Sequence, residues 1–193
     1  MKIICLGDSL TYGYGVARAV TWTALLSDGA DGPEVVNRGI SGDTTGGMLA
    51  RLETDVLAED SDLVLLMGGS NDIFFGRDLA AAKCNMAAIV FQCMAQGRKV
   101  VLGIPFPVLE KGLADQWKPF AGGEEVKRLL GEYGRWLVEF GREFGIPVLD
   151  LREALPREEK ARLSCYLDGI HLSPEGHRLV AEFLRKNLWK QPQ

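Results

Sequence analysis

Short apolar runs alternate with amphipathic stretches along most of this chain. The runs predict five strands, at residues 2–6, 34–37, 62–67, 99–104 and 147–150. The third run is apolar from Leu63 to Met67 and ends at Gly68-Gly69, as is typical of a strand buried on both faces of a parallel sheet.

The stretches between these runs have helical periodicity. Amphipathic segments cover residues 44–58 and 79–96. A third segment places on one helical face Val126, Leu129, Leu130, Tyr133, Leu137, Phe140 and Phe144. The last predicted helix begins with Ser173 as its N-cap and Pro174 at its first position. Its predicted core residues are Leu179, Val180, Phe183, Leu184 and Leu188.

Strands that alternate with helices predict an α/β protein with a parallel sheet covered on both sides. We expect a single domain over residues 1–193, built as a three-layer α/β/α sandwich around a five-stranded parallel sheet of flavodoxin-like order. Residues 105–123 break the periodicity and carry Phe106 and Trp117. Such a loop either serves function or folds onto its own apolar side chains.

Charge and composition narrow the classes of partner. The net charge is −4 and the basic residues are scattered among acids, which argues against a nucleic-acid surface. No apolar run approaches the ~20 residues of a membrane span, so we expect no stable membrane insertion. The first residues are also too briefly apolar for a signal peptide. Oligomeric state has no signature in this sequence.

The cysteines point to a reducing compartment. Their positions are Cys5, Cys84, Cys93 and Cys165, with no C-x-x-C spacing. We interpret them as buried thiols that behave as small apolar side chains. Together with the missing membrane signals, they predict a cytoplasmic protein.

A serine follows the first predicted strand directly, in the string Gly7-Asp8-Ser9-Leu10. The carboxyl end of a strand in an open α/β sheet faces the crevice where such proteins bind ligands. By itself this string is more often a turn with a capping hydroxyl, and Thr11 rules out a G-x-S-x-G elbow. A nucleophilic serine would also need a base.

The chain has two histidines, and they differ in context. His177 lies within the last predicted helix, where we expect a solvated side chain. His171 precedes that helix and lies three residues after Asp168. One turn could then present both side chains, with the carboxylate accepting the Nδ1 proton and Nε2 facing Ser9. A turn aspartate beside a structural histidine is the alternative.

Two further strand ends offer hydrogen-bond donors for a negatively charged oxygen. Gly42 follows the second strand and could donate its backbone N–H at close approach. Asn71 follows the third strand and could donate from its side-chain amide. Each segment is an ordinary turn in isolation, but all of them follow strands whose carboxyl ends line one rim of the sheet.

Together the four strings resemble the SGNH, or GDSL-type, hydrolase family. The blocks are Gly7-Asp8-Ser9-Leu10, the Gly42 segment, Gly69-Ser70-Asn71-Asp72 and Asp168-Gly169-Ile170-His171, in the family's order. The resemblance implies that Ser9 is the nucleophile, His171 the general base and Asp168 its partner. It also implies an oxyanion hole formed by the Ser9 and Gly42 N–H groups and the Asn71 side chain.

The compact length is similar to the family's thioesterase and lysophospholipase branch. In the family the stretch after the third block, here Ile73, Phe74 and Phe75, borders the acyl-binding groove, although these side chains could equally be core. Phe106 and Trp117 of the long loop favour an acyl or aryl group over a bare sugar acetate.

The expected function is hydrolysis of a small carboxylic ester or thioester through an acyl-enzyme, with no metal or cofactor. Lysophospholipids remain among the possible substrates. An O-acetyl esterase acting on carbohydrate is the alternative within the family. Outside it, a metal hydrolase lacks H-E-x-x-H, and a flavodoxin-like module for a nucleotide or flavin has Arg18 where the third fingerprint glycine belongs.

Overall fold

The computed structural model of the protein describes residues 1–28 and 32–188. Within them the strands are β1 (Lys2–Gly7), β2 (Glu34–Gly39), β3 (Leu63–Met67), β4 (Val100–Ile104) and β5 (Val148–Asp150). They pair in parallel in the order β2-β1-β3-β4-β5. This is the flavodoxin-like order, so the predicted sheet is confirmed.

Helices cover both faces of this sheet. The α-helices of the described residues are α1 (Ser9–Tyr12), α2 (Trp22–Ser27), α3 (Thr45–Ala50), α4 (Ser70–Gly76), α5 (Leu79–Ala95), α6 (Lys118–Ala121), α7 (Glu124–Phe144), α8 (Glu159–Leu163) and α9 (Pro174–Asn187). On one face α2 packs against α9. On the other, α3 packs against α5, and α5 contacts α7. The three predicted layers are therefore present.

The core runs through the central strands. The side chains of β3 from Val64 to Met67 are fully buried, as the uninterrupted apolar run predicts. The edge strand β2 is only partly buried. Each fully buried aliphatic side chain contributes about 1.5–3 kcal/mol relative to its exposed state.

Two predicted helices differ from the observed ones in detail. The stretch 44–58 is not one helix, because α3 ends before Arg51 and a π-helical turn follows over Glu53–Leu57. The predicted apolar face of α7 is buried at Val126, Leu129, Tyr133, Leu137 and Phe140 and partly buried at Leu130, but Phe144 is 46 % exposed near the end of the helix. There its ring packs edge-on against Phe91, with centroids 5.0 Å apart.

The start of α9 agrees with its sequence signals. The Ser173 hydroxyl accepts a hydrogen bond from the Gly176 N–H, and Pro174 occupies the first turn. Val180, Leu184 and Leu188 are buried, and Leu179 and Phe183 pack partly buried against the core.

The thiols follow the prediction except at one position. Cys5, Cys93 and Cys165 are buried, but Cys84 is exposed. Cys84 lies on α5, whose inward positions include Met86 and Ile89, so its own direction is outward. All four thiols are free. Among the described residues no helix is long and apolar enough to cross a bilayer.

Candidate active site

Ser9 begins a short helix at the carboxyl end of β1. The side chain of Asp8 caps that helix by accepting a hydrogen bond from the Leu10 N–H at 2.9 Å. Gly13 ends the helix one turn later in the left-handed conformation. Ser9 is thereby held at the first helical position, with only 8 % of its surface exposed.

A hydrogen-bonded chain joins Ser9 to two residues from the other end of the sequence. His171 Nε2 lies 3.1 Å from Ser9 Oγ, and His171 Nδ1 lies 2.8 Å from Asp168 Oδ2. Ser9 and His171 are buried together, since His171 is only 5 % exposed, and Asp168 is half-buried. With its proton on Nδ1, the imidazole donates to Asp168 and accepts from the serine hydroxyl.

The turn that carries Asp168 also fixes its carboxylate. Asp168 Oδ1 accepts hydrogen bonds from the backbone N–H groups of Ile170, at 3.0 Å, and His171, at 2.8 Å. Burial works to raise the pKa of Asp168, but the hydrogen bonds from His171 and Ile170 and the nearby imidazole outweigh it and lower that pKa. The group therefore stays a carboxylate at neutral pH.

The two predicted donor segments are linked to each other. Asn71 is 7 % exposed and donates from Nδ2 to the Asp43 carbonyl oxygen at 2.8 Å, which leaves its second N–H for another acceptor. Asp72 accepts from the Thr45 N–H and hydroxyl at 2.9 and 2.6 Å. Gly42 lies exposed in the turn after β2 with φ near +81°, which a residue with a side chain rarely adopts.

Arg51 helps to hold the strand ends at this site, and sequence reasoning did not single it out. Its guanidinium donates to the carbonyl oxygens of Gly7 and Arg38, at 3.0 and 2.8 Å, and so clasps the ends of β1 and β2. It also pairs with Asp43 at 2.8 Å. A lone arginine in an amphipathic segment has no local signal for this role, because its partners come from separate strands.

Asp8 is buried beside the serine, and it forms no ion pair among the residues that the structure describes. Its pKa is raised to about 7, chiefly by burial and further by the carboxylates of Asp43 and Asp72. Its Oδ2 has no hydrogen-bond partner within the described residues, and neither does the buried hydroxyl of Tyr133. The carboxyl group next to Ser9 is therefore partly protonated near neutral pH.

The apolar residues that were expected to contact the substrate lie in three different environments. Ile73 is fully buried, so the core alternative holds for it, and Phe74 is 6 % exposed. Phe75 is 54 % exposed, and its ring packs 5.5 Å from that of Phe120. Phe106 lines a pocket of about 330 Å³ between the end of β4 and α7.

Two aromatic rings flank His171 directly. The Tyr14 ring lies 4.4 Å from the imidazole, between centroids, and the Trp117 ring lies 5.7 Å from it. Sequence reasoning did not single out Tyr14. Trp117 directs its indole N–H at Asp168 Oδ2, 2.9 Å away.

The expectation of a solvated His177 is wrong. The side chain is 1 % exposed, and its Nδ1 accepts a hydrogen bond from the Trp22 N–H at 3.2 Å. That N–H lies at the start of α2, where a helix leaves donors unsatisfied. Burial lowers the pKa of His177 to about 4, so the ring is neutral and can accept.

Among the described residues, no three His, Cys, Asp or Glu side chains are grouped so that they could hold a metal ion.

Known proteins share this architecture. The GDSL-like Lipase/Acylhydrolase family matches residues 5–179. An arylesterase of Vibrio mimicus is 35% identical over 197 residues, covering 98% of this chain and 88% of that protein. The esterase TesA of Pseudomonas aeruginosa is 36% identical over 110 residues, which span 54% of this chain and 55% of TesA.

A solved structure supports the same fold. The native aryl esterase of M. smegmatis superposes with a TM-score of 0.82 at 23% identity, covering 99% of both chains. The family match extends over most of the chain and includes all four sequence blocks. This chain therefore belongs to the GDSL-like lipase and acylhydrolase family, and its prediction as an ester-hydrolysing enzyme is confirmed.

Proposed function

We propose that the protein hydrolyses small carboxylic esters through an acyl-enzyme on Ser9. The observation that carries this proposal is the continuous chain from Asp168 Oδ2 through the His171 ring to Ser9 Oγ, with links of 2.8 and 3.1 Å. Those distances suit proton transfer from a hydroxyl to an imidazole whose other nitrogen is held by a carboxylate.

In the first half-reaction Ser9 Oγ attacks the ester carbonyl carbon while His171 Nε2 takes the hydroxyl proton. The carbonyl oxygen becomes negative and is held by the N–H groups of Ser9 and Gly42 and by the second N–H of Asn71. Asp168 stabilises the imidazolium. The tetrahedral intermediate then collapses, the alcohol leaves with the proton from His171, and the acyl group remains on Ser9.

Water completes the cycle. His171 removes a proton from a water molecule, whose oxygen attacks the acyl carbon, and the second tetrahedral intermediate expels Ser9 Oγ. The same imidazolium returns the proton to the serine. The products are a carboxylic acid and an alcohol, and a thioester would give a thiol by the same steps.

The surroundings of the serine support an acyl or aryl ester as substrate. The rings of Tyr14 and Trp117 lie beside the imidazole, and Phe75 and Phe120 form an exposed aromatic pair after the Asn71 segment. Apolar surfaces of this kind favour an aromatic or aliphatic group over a sugar. Lysophospholipids and carbohydrate acetates are the competing substrates.

The assay measures release from p-nitrophenyl esters of increasing acyl length by wild-type protein and Ser9→Ala. We expect a loss in kcat of at least about 10³-fold in the variant, with an unchanged thermal midpoint, because the nucleophile is removed while no core contact is lost. A fluorophosphonate should label Ser9 in wild-type protein. Full activity in Ser9→Ala would refute the proposal, and faster turnover of acetylated xylan than of aryl esters would favour the carbohydrate alternative.

We further propose that the chain folds as one domain and works in the cytoplasm without nucleic-acid partners. A single core passing through β1, β3 and β4 supports one domain. The free thiols support a reducing compartment, and the net charge of −4 supports the absence of a phosphate-tracking surface. One cooperative urea transition and a cytoplasmic fraction that retains the reduced protein are the expected results.

A further inference from the structure

The carboxylate of Asp168 is held by more than the histidine and its own turn. Oδ1 accepts from two backbone N–H groups, and Oδ2 accepts from His171 Nδ1 at 2.8 Å. The indole Nε1–H of Trp117 donates to the same Oδ2 at 2.9 Å. A carboxylate has about four lone-pair positions, so the indole occupies the last of them.

We propose that Trp117 is a positioning residue, which through its indole N–H sets the orientation and the charge of the Asp168 carboxylate for the reaction at Ser9. This inference rests on the proposed function, because it assigns Trp117 a task within the same hydrogen-bonded chain. It replaces substrate contact as the main task of the tryptophan.

The segment that carries Trp117 is built against the Asp168 turn. The Leu109 N–H donates to the Gly169 carbonyl at 2.8 Å, and the Ala114 N–H donates to the Asp168 carbonyl at 3.0 Å. Gly169 has φ near +85°, and a Cβ there would lie 2.7 Å from Leu113 Cα. The two backbones therefore touch, and a side chain at Gly169 would force them apart.

The far end of the same segment is tied to the helix that carries Asn71. The guanidinium of Arg77 donates to the Phe120 carbonyl at 2.8 Å and to the Ile73 carbonyl at 3.0 Å. Trp117 thus lies on a strap, residues 109–120, which is anchored at the Asp168 turn and at α4. At both anchors the strap is held through its own backbone atoms, by backbone partners at the Asp168 turn and by the Arg77 side chain at α4. They hold the indole relative to the carboxylate without depending on the indole itself.

Removal of the donor has a predictable electrostatic consequence. The indole N–H draws negative charge towards itself and away from His171 Nδ1, which shares Oδ2. Without it, the carboxylate holds the imidazolium formed in the reaction more strongly, so the proton passes less readily from His171 to the leaving alcohol. The carboxylate also gains freedom to rotate, which lowers the fraction of productive geometries.

Two substitutions separate the donor from the ring. Trp117→Phe keeps an aromatic ring and removes the N–H. Trp117→Gln removes the ring but carries an N–H the same number of bonds from Cβ as the indole nitrogen. Trp136→Phe is the matched control, since Trp136 is a half-buried tryptophan on α7 that stacks on Phe140 with centroids 4.9 Å apart.

The experiment measures kcat and KM on a p-nitrophenyl ester at one pH, per active site titrated with a fluorophosphonate. For Trp117→Phe we expect kcat to fall about tenfold with KM within about twofold, because a hydrogen bond to a charged group is lost. Trp117→Gln, which restores the donor without the ring, should recover most of the lost kcat. Trp136→Phe should leave both quantities unchanged.

Four results would overturn the inference. A higher KM with normal kcat would make Trp117 a substrate contact. An equal fall in kcat in Trp117→Phe and Trp117→Gln would reduce it to a structural residue. Wild-type behaviour of Trp117→Phe alongside an inactive Ser9→Ala would end this inference while leaving the proposed function intact, whereas an active Ser9→Ala would end both.

Discussion

The two histidines lie on neighbouring segments, the loop before α9 and α9 itself, yet their environments differ. Both are buried, with 5 % of His171 and 1 % of His177 exposed. His171 contacts a carboxylate on one nitrogen and a hydroxyl on the other, whereas His177 accepts one backbone N–H and has no partner on Nε2 within the described residues. The partners, rather than the burial, distinguish a candidate base from a structural acceptor.

The backbone explains why the partners differ. His171 lies in an irregular turn that folds back on Asp168, so both ring nitrogens meet polar groups at the rim of the sheet. His177 lies on the inner face of α9, which packs against α2, and there the ring meets the free N–H at the start of that helix. A protonated ring at this point would lose its acceptor and place a cation at the positive end of a helix.

Replacement of each histidine should therefore impair a different property, which is catalysis for His171 and the pH dependence of stability for His177. His171→Ala should lower kcat on p-nitrophenyl acetate by about 10⁴-fold, because the general base is lost, with little change in the thermal midpoint. His177→Gln should retain kcat within about threefold. Both variants are assayed at one pH and checked by circular dichroism, and a large loss of kcat in His177→Gln would contradict the division of roles.

A buried carboxyl group extends this comparison, because burial raises the pKa of a carboxyl group and lowers the pKa of a histidine. The pKa of Asp8 rises from 3.8 to about 7 on folding, so between these values the folded state binds more protons than the unfolded state and stability falls as pH rises. Asp8→Asn keeps the acceptor for the Leu10 N–H and cannot ionise. The variant should gain up to about 4 kcal/mol of unfolding free energy over wild type between pH ~4 and pH ~7.

Urea unfolding of both proteins across that range tests this expectation. The quantity compared is the difference between the two unfolding free energies, which removes contributions of groups common to both. A difference that stays constant with pH would show that Asp8 titrates normally.

His177 should produce the smaller total change in unfolding free energy, in the reverse direction. Its pKa falls from 6.5 to about 4 on folding, so the unfolded state binds more protons in this window and stability is lost as pH falls. Relative to its value above pH ~6.5, the wild-type unfolding free energy should lose up to about 3 kcal/mol by pH ~4 from this group.

His177→Gln should lack that loss, since glutamine accepts a hydrogen bond at every pH. The measurement is again the variant-minus-wild-type difference in unfolding free energy, here from acid to neutral pH. Parallel curves for the two proteins would contradict the assignment of His177 as a neutral acceptor.

Sequence reasoning predicted both the sheet and the hydrogen-bonded chain of Ser9, His171 and Asp168, and it did so for the same reason. Apolar runs such as 62–67 depend on local pattern, and strand ends of a parallel sheet meet at one rim. The pattern also placed the cap at Ser173, whose hydroxyl accepts from the Gly176 N–H in the structure. The same pattern wrongly predicted that Phe144 and Cys84 are buried. Near a helix end or at the surface, helical periodicity does not show how far the neighbouring element extends to cover a side chain.

The amino-acid sequence by itself determined the α/β class, the parallel order and which residues are gathered at the serine, because these follow from periodicity and from short strings at strand ends. Only the tertiary structure decided that His177 accepts from α2, that Arg51 clasps two strands and that Trp117 donates to Asp168. In each case the partner lies on another segment of the chain. Its distance and direction are properties of the packed elements, and no local pattern encodes them.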